Sequence, residues 1–114
     1  MADPEFNPTE EGKRIAREYL SQRGWAREWR RSLDRQLYPA VQREELEEKE
    51  RRVDRMQEEA EEVFSREYEK WRKDDSPAGQ EVRRGMFELL GKRRDLGFIG
   101  QRIVERLKRE FTPL

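Results

Sequence analysis

The chain has 114 residues, 46% of them charged and 32% hydrophobic, with 26 basic and 26 acidic side chains that cancel to zero net charge. Such a length holds one domain at most, and zero net charge provides no global field to draw in nucleic acid or membrane. Cysteine and histidine are both absent, which removes disulfides, thiolate nucleophiles, soft metal sites and the commonest general base.

Residues 1–6, reading MADPEF, look like a start methionine joined to cloning-site residues, which leaves 7–114 as a single helical domain. The first predicted helix covers 8–22. Asn7 is placed to cap it, Pro8 suits the first helical position, and Glu10 stands where a reciprocal cap acceptor belongs. Ile15 and Tyr19 share a face, and Gly24 is expected to stop the helix in a left-handed turn. A second helix, 25–37, follows with Trp25, Trp29, Leu33 and Leu37 spaced by one turn, and Pro39 is expected to break or kink the chain after it.

The next stretch is the most distinctive. Residues 40–76 contain neither glycine nor proline, and from Arg43 to Arg52 only Leu46 is uncharged. This composition predicts one long amphipathic helix over about 40–74, roughly 50 Å in length at 1.5 Å per residue. Its apolar stripe runs through Leu46, Val53, Met56, Ala60, Val63, Phe64, Tyr68 and Trp71. The heptad-like spacing slips at Glu67, so the stripe suits packing on neighbouring helices better than a long regular two-stranded coil.

Ser76 and Pro77 mark the start of a helix over 77–91, with Val82, Met86, Leu89 and Leu90 as its compact face. A turn belongs between Gly91 and Gly97, around Lys92, Arg93 and Arg94. The last helix, 99–111, carries Ile99, Ile103, Leu107 and Phe111 before Thr112 and Pro113 end it. Nothing alternates with period two, so the expected fold is all-α: four to five helices built around one long amphipathic helix, as a helical bundle or coiled-coil-like assembly.

Charge falls in blocks: residues 13–35 are net basic, 44–62 net acidic and 81–109 net basic. Most of these groups are expected on wet helix faces, but the alternation also favours an antiparallel fold-back or head-to-tail pairing with a second copy. Trp25 and Trp29 are expected in the core with Leu33 and Leu37; left exposed, they become a hot spot for another protein. The candidate protein interface is Trp25, Trp29, Met56, Val63, Phe64, Tyr68 and Trp71.

Nucleic acid is the competing partner class, because arginine far outnumbers lysine and Arg27, Arg30, Arg31, Lys92, Arg93, Arg94, Arg102 and Arg106 make a candidate contact set. Against it, a helix–turn–helix wants a small residue one turn before its glycine, and Arg93 and Phe87 occupy those places. Membrane contact ranks lower, since the stripe over 98–111 opposed by Arg102, Arg106, Lys108 and Arg109 suits a core helix equally well.

No phosphate loop, calcium loop or zinc-protease motif occurs. Glu58, Glu59, Glu61 and Glu62 are expected to stay solvated rather than hold a divalent cation, so no metal, cofactor or catalysis is expected. The expected role is a non-catalytic adaptor or scaffold module, self-associating because its apolar surface is small for so much helix. No apolar run approaches bilayer length, and the expected location is soluble and intracellular, cytoplasmic and nuclear being equally compatible.

Overall fold

The computed structural model describes residues 6–35 and 43–112. Among the described residues the chain is all-helical, with four helices and no strand: α1 (Pro8–Arg35), α2 (Arg43–Arg72), α3 (Pro77–Leu90) and α4 (Phe98–Phe111). Leu37, the break at Pro39, the first residues of the 40–74 helix and Pro113 lie outside the described residues. None of the helices is long and apolar enough to cross a membrane.

Local chemistry sets most of the helix ends. Asn7 Oδ1 accepts from the Glu10 amide at 3.3 Å, and Ser76 Oγ accepts from the Gly79 amide at 3.1 Å with Pro77 at the first helical position. Glu10 does not return the favour to Asn7: its carboxylate turns to Lys13 and Arg17, at 3.6 and 3.4 Å. Gly91 ends α3 in right-handed geometry, its amide donating to the Phe87 carbonyl at 2.8 Å.

Gly24 is where the sequence expectation fails. The helix runs straight through it, so the segments expected as 8–22 and 25–37 form one helix of 28 residues, nearly as long as the 30-residue α2. An interior glycine costs a helix about 1 kcal/mol relative to alanine, too little to stop one whose buried face continues beyond it. Ile15 and Tyr19 before Gly24 and Ala26 and Leu33 after it follow one seven-residue repeat, and all four are buried. Beyond the backbone of its own helical turn, no atom lies within 4 Å of where a Gly24 side chain would begin. Gly24→Ala is therefore expected to stabilise the protein by about 0.5–1 kcal/mol, read as a higher urea midpoint with unchanged slope.

Two apolar clusters result. The larger joins all four helices through Ile15, Ala16 and Tyr19 of α1, Ala60, Phe64 and Tyr68 of α2, Val82, Met86 and Leu90 of α3, and Ile103, Val104 and Leu107 of α4. Tyr19 stacks on Phe64 with ring centroids 4.2 Å apart. The smaller lies between α1 and α2 alone: Ala26, Leu33 and Val53, flanked by the partly buried Leu46 and Met56. The molecule measures 59 × 38 × 18 Å, and its 17.6 Å radius of gyration exceeds the value of about 13 Å expected for a compact chain of this length. The α1–α2 hairpin extends beyond the four-helix body as a two-helix arm.

Candidate interaction surface

The arm has two unlike flanks. On a helix, each residue turns about 100° from the last, so with Ala26 facing α2, Trp25 and Trp29 fall on one side of it while Arg23 and Arg30 fall on the other. Trp25 is 68% exposed and Trp29 53%. The core position expected for them is thus overturned, because the continuous α1 brings Ala26 and Leu33 against Val53 and rotates both indoles off the buried line.

The Trp flank continues onto α2. Glu18 and Gln22 border a hollow shared with Trp25, and the same two residues border the α1–α2 seam beside Val63. Met56 lies one heptad before Val63 on that side, and both are only partly buried. Four of the expected interface residues, Trp25, Trp29, Met56 and Val63, therefore share a flank. The other three do not join them: Phe64 and Tyr68 are sealed in the core, and Trp71 packs half-buried against it.

The Arg flank carries a polar lock that single-helix reasoning missed. Glu61 Oε1 accepts from the Tyr19 hydroxyl at 2.7 Å and from Arg23 Nη1 at 2.8 Å, while Oε2 accepts from the Gly100 amide at 2.9 Å. Gly97 caps α4 without a side chain to offer, so a carboxylate from α2 supplies the missing acceptor at the third residue of α4, where the helix dipole favours an anion. Arg23 also donates to the Asp95 carbonyl at 2.8 Å, tying the α3–α4 loop to α1. Burial pushes the Tyr19 hydroxyl well above its ordinary pKa, reinforced by its bond to Glu61, so it stays a donor at neutral pH. Gly100 is needed beside it, since a side chain there would meet the Tyr19 ring.

The chain matches no family model, no curated protein and no solved structure.

Of the basic residues considered for nucleic acid, four are engaged by acids of the chain itself. Arg27 and Arg93 both reach Asp95, at 3.4 and 3.2 Å, Arg30 reaches Asp54 at 2.7 Å, and Arg31 reaches Glu28 at 3.5 Å. Arg102 lies over the Phe98 ring, 5.7 Å from its centroid. The set is scattered over the α1 arm, the α3–α4 loop and α4 rather than gathered on one helix face. Among the described residues no three acidic groups are arranged to hold a metal ion, and every buried side-chain nitrogen or oxygen has a hydrogen-bond partner.

Beside the lock, α2 and α4 enclose an open groove of about 510 Å³. Phe98 and Ile99 form its apolar lip, 78% and 37% exposed, and Glu58 and Glu62 stand on its acidic wall. Missing from the sequence reading, this groove has a sequence signal in hindsight: Phe98 precedes the Ile99–Ile103–Leu107 repeat and lies off its line.

Proposed function

We propose that this protein is a non-catalytic helical assembly module that self-associates through the Trp flank of its arm, two arms packing into an antiparallel, coiled-coil-like four-helix bundle. The observation that carries the reading is the pair of tryptophans exposed side by side on the flank that also leaves Met56 and Val63 half-covered. Indoles in this setting are the strongest anchors a protein interface offers. The arm has a structural need for a partner as well. Among the described residues only a small apolar cluster, Ala26, Leu33 and Val53 flanked by the partly buried Leu46 and Met56, with the Arg30–Asp54 ion pair beside it, joins its helices beyond the four-helix body, and helices in proteins draw most of their stability from packing of the apolar face.

A second copy supplies the cover in a closed, two-fold arrangement, with the Trp pair of each chain lying over Met56 and Val63 of the other. The charge blocks favour this pairing: the basic α1 of one copy lies against the acidic first half of the other copy's α2, which selects the antiparallel register while the apolar contacts provide the affinity. Nucleic-acid binding has weaker support, because half of its candidate residues already hold acidic partners within the chain.

Sedimentation velocity tests the proposal. The wild-type chain should run as a dimer, and its tryptophan emission should shift to shorter wavelength as concentration rises. Trp25→Glu combined with Trp29→Glu should raise the dissociation constant about a thousandfold or more, as two hot-spot anchors of about 2 kcal/mol each imply, without loss of helicity. A wild-type chain that stays monomeric at about 0.1 mM, a concentration about a thousandfold above the Kd of even a modest 0.1 µM dimer, would refute self-association.

A further inference from the structure

The groove between α2 and α4 lies on the arm's opposite flank from the tryptophans and serves no purpose in the assembly just described. Phe98 is the most exposed large apolar residue among those described, yet it sits at the first turn of a well-packed helix rather than on a loop. Ile99 continues the lip and also borders a second hollow, about 270 Å³, that runs on between Tyr68, Arg102 and Arg106. The two hollows form one furrow along α2 from Asp54 to Glu69, roughly 22 Å at 1.5 Å per residue, which is the length of about four helical turns.

Its charges are ordered. At the first end, Asp54 and Glu61 are neutralised by Arg30 and Arg23, but Glu58 and Glu62, one turn apart on the wall, take part in no ion pair among the described residues and are exposed. At the other end Arg102 and Arg106 likewise have no acidic partner within ion-pair distance among the described residues. Glu69, which also lines this end, is paired with Arg72 at 3.6 Å, so the furrow runs from acidic through apolar to basic.

We infer that this furrow is a docking site for a short amphipathic helix of another protein. Its occupant presents lysine or arginine one turn apart towards Glu58 and Glu62, a branched or aromatic apolar residue over Phe98 and Ile99, and an acidic residue towards Arg102 and Arg106. The complementarity is helix-in-groove recognition with the charges setting direction. An anionic lipid surface fits less well, because Glu58 and Glu62 beside the apolar lip would face the headgroups.

The test uses a fluorescein-labelled amphipathic peptide of about four turns, matching the furrow length, with lysines at its first end, a leucine face and glutamates at its last. A charge-swapped peptide of the same composition serves as control. The wild-type protein should bind the first peptide at least about tenfold more tightly than the second by fluorescence anisotropy, with amide shifts confined to Gly97, Phe98, Ile99, the α4 turns carrying Arg102 and Arg106, and the exposed face of α2. Phe98→Ser, and separately Glu58→Lys with Glu62→Lys, should each weaken binding about tenfold or more while circular dichroism and the oligomeric state stay unchanged. Equal affinity for both peptides, no binding, or binding indifferent to these substitutions would overturn the inference. Loss of self-association in Phe98→Ser would do so too, by assigning the lip to a second copy, and vesicle binding that depends on Phe98 would assign it to lipid.

Discussion

Gly12→Leu is expected to unfold the four-helix body, and Gly85→Leu to do the same. The two glycines are where α1 and α3 cross with their backbones touching. A side chain begun at Gly12 would land on the Val82 carbonyl oxygen, with the Val82 carbonyl carbon at 2.8 Å and the Met86 nitrogen at 2.9 Å. One begun at Gly85 would land on the Thr9 carbonyl oxygen, with the Lys13 nitrogen at 3.0 Å and the Gly12 Cα at 3.1 Å. Every obstacle is main chain, so no rotamer change makes room. The helices must separate, and separation draws Ile15 and Ala16 away from Val82 and Met86, opening the centre of the core.

Overpacking a tight core commonly costs about 1–3 kcal/mol; here the cost should reach or exceed the top of that range, since a whole helix pair has to move. Alanine at either position should cost about 2 kcal/mol or more by the same reasoning. The contrast with Gly24→Ala is the informative control: the same chemical change stabilises a solvent-facing glycine and destabilises a contact glycine. Urea unfolding followed by circular dichroism reads both. A cost below about 0.5 kcal/mol for Gly12→Ala, the level of an ordinary surface substitution, would show that α1 and α3 do not approach this closely.

Arg83→Met should cost about 3 kcal/mol, the low end of what breaking a buried charge pair takes. The guanidinium is almost fully enclosed, its side chain 5% exposed, and spans three elements. Nη1 donates to the carbonyls of Trp71 and Asp74, at 2.5 and 2.7 Å, closing the C-terminal end of α2. Nε and Nη2 grip the Glu110 carboxylate of α4 at 2.8–3.0 Å. Methionine matches the length but leaves the Asp74 carbonyl without a donor and the Trp71 carbonyl with only the Asp74 amide, at 3.2 Å. Glu110 is 34% exposed and recovers part of its hydration, which is why the low end of the range applies. A domain of this size shifts its melting temperature by about 4–8 °C per kcal/mol, so a fall of roughly 12–24 °C is expected. Glu110→Gln, which keeps an acceptor for the guanidinium, should cost about 1 kcal/mol; equal losses for the two variants would show that the carbonyl contacts carry no weight.

What could be read without coordinates was whatever acts over a few neighbouring residues. Asn7–Pro8 and Ser76–Pro77 announce helix starts because a cap needs only its own side chain and an amide three residues on. The stripe from Leu46 to Trp71 announces a one-sided helix, and all eight of its residues are buried or half-buried. The helices over 77–91 and 99–111 fall within a residue of α3 and α4 for the same reason.

Apart from Glu10, which pairs within its own helix instead of capping it, the misreadings concern choices that a second element makes. Gly24 stops a helix or passes through it at nearly equal local cost, and Val53 across the seam decides by burying Ala26 and Leu33. That choice in turn fixes which face of α1 turns inward, which is why Trp25 and Trp29 end up outside despite their helical spacing with Leu33. Glu61 reads as one more solvated carboxylate in an acidic run until α4 brings the uncapped amide of Gly100 to it and α1 brings Tyr19 and Arg23.

The sequence by itself therefore determined the helical class, the helix ends that carry their own caps and the one-sided character of α2, because backbone hydrogen bonding and periodicity are local. Only the tertiary structure decided the length of α1, the glycine crossing of α1 with α3, the partners of Glu61 and Arg83, and which aromatic residues face water. Each of those depends on the energy of a contact between residues distant in the chain, and that energy exists only once the helices are side by side.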